Sequence, residues 1–334
     1  MKRILLIINL LLIISMFSGC TKFTNNQINV SGQYFDTAVS ITIYGGTKDV
    51  ADKCKDICSK YENMFSNNID SSEISMININ SAKGNWTSVS NETLELIKKG
   101  IEFGNASNGL FDITIGEVSN LWDFKDGNNL PDPATINEKI SNVNYKNIEI
   151  DGNNVRLSNP NAKLDLGGIA KGYIADKLKE YLLSQNIDSA LINLGGNVLL
   201  VGSKLDGSNF RIGIQKPFEE SGETILVVNT HDKSIVTSGT YERYFYKDNK
   251  LYHHILDTHT GYPVENDLCS VTIISDSSMM GDGLSTTAFL MGLNDGLNYI
   301  ESLENTEAIF IDKDLKIHTT TGLDINNNNE VPIK

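Results

Sequence analysis

The feature that most constrains this chain is the way short β-rich runs return on themselves in its second half. Phe210 to Gln215 with Glu223 to Asn229, Tyr244 to Tyr246 with Leu251 to Ile255, and Ala308 to Ile311 with Lys316 to Thr319 each read as two strands joined by a brief connection. Ile148 to Leu157 reads as a further hairpin around Asp151-Gly152. Single strands are expected at Phe35 to Tyr44, Ala190 to Gly202 and Val271 to Ser275. Amphipathic helices are expected at Asp49 to Phe65, Ser90 to Ser107 and Ile174 to Gln185, with two more at Gly281 to Met291 and Asp295 to Leu303. Hairpins outnumber strand–helix–strand repeats. The pattern therefore argues against a doubly wound nucleotide fold and for an α+β class with mixed, largely antiparallel sheets and packed helices.

The start of the chain is of a different kind. Lys2 and Arg3 precede an apolar run from Ile4 to Phe17, and Ser18-Gly19 leads into Cys20. This is the charged, apolar and small-residue layout of a bacterial secretion signal. The apolar run is shorter than the roughly 20 residues that span a bilayer. Residues 1–19 are expected to be a lipoprotein signal peptide and Cys20 the lipidated first residue, which places the protein at the extracytoplasmic face of the cell membrane. The alternative is an uncleaved membrane anchor. Residues 20–32 are polar and rich in Asn, and read as a tether. The folded domain is expected over 33–323, with 324–334 a polar tail.

The formal charge of −14 and the lack of a basic patch exclude nucleic acid as a partner. Cys54 and Cys58 are four residues apart on an expected helix, without nearby residues to complete a metal site, and read as half-buried packing residues.

Three segments concentrate chemistry. In Asp165-Leu166-Gly167-Gly168-Ile169-Ala170-Lys171-Gly172-Tyr173 an acidic residue and two glycines lead into a helix carrying Lys171. Glycines admit close approach of backbone to a ligand, and a helix N-terminus offers free N–H groups to an anion. A plain strand-to-helix turn has the same pattern. In Tyr252 to Pro263, three of the five histidines (His253, His254 and His259) fall within seven residues. His253 and His254 on a strand would face opposite ways, which argues against one shared metal. In Met280 to Ala288, Asp282 and Thr286 share a helix face and offer hard oxygen donors of the kind Mg²⁺ takes. A capping Asp and a core Thr would look the same.

Together these segments resemble the ApbE family, the FAD:protein FMN transferases. The resemblance also covers Phe111-Asp112-Ile113-Thr114, Asn193-Leu194-Gly195-Gly196-Asn197, Thr237-Ser238-Gly239 and His254-Ile255-Leu256-Asp257 followed by Thr260-Gly261-Tyr262-Pro263. It implies an ApbE-like, T-fold-related domain. It implies that Asp282, Thr286 and the carbonyl of Gly168 hold Mg²⁺. It implies an FAD pocket formed by Phe35, Leu110, Phe111, Asp112, Asp165, Lys171, Ser238, His254 and Ile255. Phe35-Asp36-Thr37 departs from the Met-Gly-Thr common in the family. The implied reaction moves the FMN part of FAD to a threonine hydroxyl of a flavoprotein subunit of the Rnf or Nqr type, releasing AMP. Asp282 serves as metal ligand, and His254 is a possible proton acceptor or a loop-fixing residue. The alternatives are an FAD pyrophosphatase and a flavin-binding lipoprotein without chemistry.

Overall fold

The structure is a computed structural model and describes residues 27–124, 130–220 and 222–333. The expected signal peptide and Cys20 lie outside these residues.

An eight-stranded sheet forms the centre. Its strands are β1 (Gln27–Tyr34), β2 (Thr37–Tyr44), β6 (Ala190–Leu194), β7 (Asn197–Val201), β10 (Ser234–Gly239), β13 (Leu268–Ser275), β14 (Glu307–Asp312) and β15 (Ile317–Thr319), in the spatial order β1-β2-β6-β7-β10-β13-β14-β15. Every neighbouring pair in it is antiparallel. This is the expected α+β class.

The central strands are apolar on both faces because both faces are covered. Leu199, Val201, Ala308 and Phe310 pack into the main core. Their neighbours Val198, Leu200, Ile309 and Ile311 turn the other way into a second cluster. Helices α1 (Lys48–Phe65), α6 (Ala170–Ser184) and α7 (Ser278–Glu301) pack in the main core. The second face is closed by a small sheet of β8 (Phe210–Gln215), β9 (Thr224–Thr230) and β16 (Glu330–Pro332). Helix α2 (Glu73–Ser81) packs on a sheet of β3 (Thr87–Ser88), β4 (Ile148–Asp151) and β5 (Asn154–Leu157), and α3 (Asn91–Ala106) packs on α7. A third apolar cluster joins α4 (Gly116–Ser119) and α5 (Pro133–Ile140) to the hairpin of β11 (Tyr244–Lys247) and β12 (Lys250–His253) through Val118, Ile136 and Phe245.

Several expectations are corrected. The tether over 20–32 ends sooner, because Gln27 to Tyr34 pairs with β2 along its whole length. It is an edge strand that buries only Val30, so its sequence is mostly polar. The tail over 324–334 contains β16, whose Val331 is fully buried and which pairs parallel to β9. Ala190 to Gly202 is two strands, turning at Gly195 and Gly196, both with positive φ (62° and 88°). Phe35 does not start a strand. It and Asp36 form the β1–β2 turn, both in the left-handed region (φ 54° and 55°). The two expected C-terminal helices hold, since α7 breaks between them at Gly292, which has φ 78° and ψ 179°.

Candidate functional site

The site is assembled where α6 meets α7. The approach to α6 is held from the side. Asn78 on α2 accepts from the Leu164 amide at 2.7 Å and donates to the Leu164 carbonyl at 3.2 Å, acting as a substitute strand. The Asp165 amide donates to the Ile113 carbonyl at 2.8 Å. The Asp165 carboxylate accepts from the Gly167 amide at 2.9 Å and from the Ser119 hydroxyl at 2.8 Å. Asp165 thereby fixes the glycine turn. Helix α6 then begins without a side-chain cap. One of its first-turn amides, that of Gly172, donates instead to Oδ2 of Asp282 on α7 at 2.9 Å.

Glycine is required at 172. A Cβ there would lie 2.2 Å from the Ser278 carbonyl oxygen. Asp176, one turn further along α6, completes the junction. Its carboxylate accepts from the Ser278 amide at 2.8 Å, the Met279 amide at 3.0 Å and the Ser277 hydroxyl at 2.8 Å. Two α6 positions thus set the rotation and height of α7, and with them the direction of Asp282 and Thr286.

Asp282 is only 4% exposed. Burial pushes its carboxyl upward, opposed by the Lys171 ammonium, the Gly172 amide and Asn197. Lys171 Nζ lies 3.4 Å from Asp282 Oδ1 and 3.1 Å from the Gly167 carbonyl oxygen. Four residues on, Thr286 presents its hydroxyl 3.1 Å from Ser238 Oγ on β10, and Ser238 also meets Ser285 Oγ at 2.8 Å. Lys171, Ser238, Asp282 and Thr286 therefore converge at this junction. Gly168 sits in the same turn with the Phe111 ring against it, 3.0 Å from where a side chain would begin.

These donors fit a hard divalent cation. They are a buried carboxylate, a hydroxyl and a turn of backbone carbonyls, and an ammonium already bridges the carboxylate to one carbonyl. Among the described residues no group of three or more His, Cys, Asp or Glu could hold a metal. The three histidines do not converge. His259 is exposed and beside Asp257, and His253 is buried with Nε2 3.2 Å from the Val264 carbonyl oxygen.

His254 follows β12 with its amide on the Arg243 carbonyl at 3.1 Å and its Nδ1 buried without a partner. Burial, reinforced by Arg243, His253 and Lys171, pushes this imidazole down to about 3, so it is neutral at physiological pH. Glu242 was not singled out in the sequence. Crowding pushes its carboxyl up to about 7, Lys171 and Arg243 pull it down, and Asp282 raises it further. Glu242 is exposed by surface area, so water screens part of this shift. Only its place just after the Thr237-Ser238-Gly239 motif could have marked it.

Other expected pocket residues have visible structural work. Asp112 accepts from the Thr114 amide and hydroxyl at 2.8 and 2.7 Å and from the Tyr145 amide at 2.7 Å. It also borders a recess of about 310 Å³ shared with Thr258 and His259. Phe111 is buried against Phe103, Leu110 is half-buried on the main core, and Ile255 lies within that core. The turn of Phe35 is held by its amide on Glu62 Oε1 at 2.8 Å. Cys54, Cys58 and Cys269 are buried free thiols. Burial pushes Cys54 and Cys58 up to about 12, as packing residues require.

The family described as the ApbE family matches residues 35–310 of the chain. An FAD:protein FMN transferase of Klebsiella pneumoniae is 34% identical over 297 residues, covering 88% of this chain and 92% of that protein. One of Treponema pallidum is 30% identical, covering 80% and 78%. The ApbE protein of Thermotoga maritima superposes with a TM-score of 0.80 at 29% identity, covering 89% of this chain and 97% of its own. The flavin transferase ApbE of Vibrio cholerae superposes with a TM-score of 0.79 at 28% identity, covering 89% and 97%. A match of this extent over the strands and helices that build the α6–α7 junction leaves one assignment: the chain belongs to the ApbE family.

Proposed function

We propose that this protein is an FAD:protein FMN transferase that moves the FMN part of FAD to a threonine hydroxyl of an acceptor protein and releases AMP. The observation that carries the reading is the pairing of Lys171 with Asp282 at the uncapped start of α6, with Thr286 on the same face of α7. This combination offers positive charge and helix dipole to a pyrophosphate and oxygen donors to its counter-ion.

Asp282, Thr286 and the Gly168 carbonyl would hold Mg²⁺. Bound there, the ion would supply charge neutralisation to the pyrophosphate. Lys171, whose ammonium lies against Asp282 and the Gly167 carbonyl, supplies positive charge for a phosphate oxygen. The threonine oxygen bonds to the FMN phosphorus, the P–O bond to the AMP phosphate breaks, and AMP leaves with the bonding electrons. His254 takes the hydroxyl proton. The ring is neutral and its Nδ1 has no competing partner, and an anionic substrate alongside raises its basicity. Leu110, Phe111 and the Phe35 turn border the flavin.

The acceptor class proposed is the flavin-carrying subunit of an Rnf- or Nqr-type redox complex, met at the extracytoplasmic membrane surface by a protein anchored through acylated Cys20. A tethered enzyme meets tethered acceptors at high effective concentration.

The test is to incubate the protein with FAD, Mg²⁺ and the extracytoplasmic domain of such a subunit, and to measure the intact mass of that domain. One flavin phosphate bound to the wild-type acceptor and none to a threonine-to-alanine acceptor is expected. Flavin on neither, with FAD consumed, would replace transfer by hydrolysis.

A further inference from the structure

Where α7 starts on the sheet, the contact is polar. Ser278, Asp282 and Ser285 are buried on the helix, and the strands beneath answer with Asn197 on β7 and Ser238 on β10. Buried polar groups are costly unless they are bonded. Ser238 meets that demand through Ser285 and Thr286. Asn197 meets only half of it.

Asn197 is 1% exposed and closes the Asn193-Leu194-Gly195-Gly196-Asn197 segment. The glycine turn brings it back opposite Leu194, and Val236 of β10 is its partner on the other side. The Ser278 hydroxyl donates to its Oδ1 at 2.6 Å. With the carbonyl end taken, the direction of the NH₂ end is fixed. That nitrogen is buried and has no hydrogen-bond partner. It nevertheless stands close enough to the Asp282 carboxylate to favour the charged form, short of a full bond.

The spacing explains the arrangement. Ser278 and Asp282 are four residues apart on α7 and so share a face. One amide below them can hold the first with its oxygen and reach toward the second with its nitrogen. An open donor in a core costs about 1–3 kcal/mol, which an apolar side chain of the same size would not incur. The Asp282 carboxylate already accepts from the Gly172 amide and faces the Lys171 ammonium. Asn197 is a third donor aimed at the same acid.

We propose that Asn197 is a positioning residue for Asp282: Ser278 fixes its carbonyl end, and its NH₂ end steadies the Asp282 carboxylate as a cation ligand. The proposal rests on the reading above that Asp282 helps to hold the divalent cation. It also gives the glycine turn of the Asn193–Asn197 segment a task, which is to deliver this amide to the underside of α7. Carboxylates that ligate metals are themselves hydrogen-bonded, and losing such a partner costs about 10–100-fold in affinity or activity.

The experiment compares Ser278→Ala, the double substitution Asn197→Leu with Ser278→Ala, and Asn197→Ser. The first removes the bond to α7 and leaves the donor. The double removes both bonding partners at once, so no polar group is orphaned between them. Asn197→Ser stays polar but is too short to reach Asp282. For each, four quantities are measured: Mn²⁺ affinity from the paramagnetic resonance of the free ion, kcat, FAD affinity without divalent ion, and the thermal midpoint. Ser278→Ala should keep the Mn²⁺ dissociation constant within about threefold of wild type, the scale of one neutral hydrogen bond. The double variant and Asn197→Ser should raise it, and lower kcat, by about 10–100-fold, with FAD affinity held. A packing role alone would lower the midpoint and leave Mn²⁺ affinity as in Ser278→Ala. Mn²⁺ affinity equal to that of Ser278→Ala in both Asn197 variants overturns the proposal. So does a parallel loss of FAD affinity, which would make Asn197 part of the flavin pocket. Absence of Mn²⁺ binding by the wild-type protein would instead overturn the cation reading, and this role with it.

Discussion

The Gly172 amide donates to Oδ2 of Asp282 at 2.9 Å, so the first turn of α6 is tied to the helix that carries the proposed metal ligands. The same carboxylate faces Lys171 with its other oxygen. One buried acid thus ties the uncapped start of α6 to the face of α7 that also carries Thr286.

Substituting Asp282→Asn keeps the shape and removes the charge. Turnover should fall by about 10²–10³-fold, the usual cost of losing one preorganised electrostatic contact. The thermal midpoint should change little, because burial already disfavours the ionised form. Steady-state rates and a melting curve check this, and near-normal turnover would remove Asp282 from the site. Full activity in excess EDTA would remove the metal.

Gly172→Ala should damage both stability and rate. The added methyl would meet the Ser278 carbonyl at 2.2 Å, and this contact is backbone, which cannot swing away. Overpacking of this kind costs about 1–3 kcal/mol. The helices must separate, which also lengthens the Gly172–Asp282 bond. A variant with wild-type melting and wild-type turnover would show that the junction is looser than described.

Acid should destabilise the fold through His253. Burial pushes this ring down to about 4 in the folded protein, against 6.5 for an ordinary histidine. Above pH 6.5 neither state binds the proton and the stability is fully present. As pH falls from there toward 4, the unfolded chain gains a proton that the folded chain refuses, and stability drops by about 1.4 kcal/mol per pH unit for this group. His253→Gln should therefore lose less of its thermal midpoint between pH 7 and pH 5 than the wild type does. An equal loss in both would contradict the assignment.

Anchoring is tested through Cys20. The Cys20→Ala protein should remain an uncleaved precursor that incorporates no labelled fatty acid. Recovery of an acylated mature chain from that variant would refute the lipoprotein reading.

Much of this was legible in the sequence because local chemistry and tertiary role agree. The β4–β5 hairpin turns at Gly152-Asn153, within one residue of the Asp151-Gly152 signal, and the Asp282/Thr286 spacing puts both side chains on one face of α7. The failures have physical causes. β1 is an edge strand with one buried residue, so it reads as a polar tether. β6 and β7 are apolar on both sides of a glycine pair, so they read as one strand. β10 escaped notice although it lies mid-sheet, because four of its six residues are Ser, Thr or Gly, two of them used to contact Thr272, Ser285 and Thr286. The role of Asp176 as a clamp on α7 depends on a contact about a hundred residues away in sequence, which no local pattern announces.

The most direct test of the central claim is a balance of products. The protein, FAD and Mg²⁺ are followed over time with and without the acceptor domain, measuring AMP, free FMN and protein-bound flavin together. The account predicts that AMP appears in step with covalently bound flavin, that free FMN stays minor, and that AMP release slows sharply when the acceptor is omitted or its threonine replaced by alanine. AMP and free FMN rising together at the same rate with either acceptor would contradict it and make water the nucleophile.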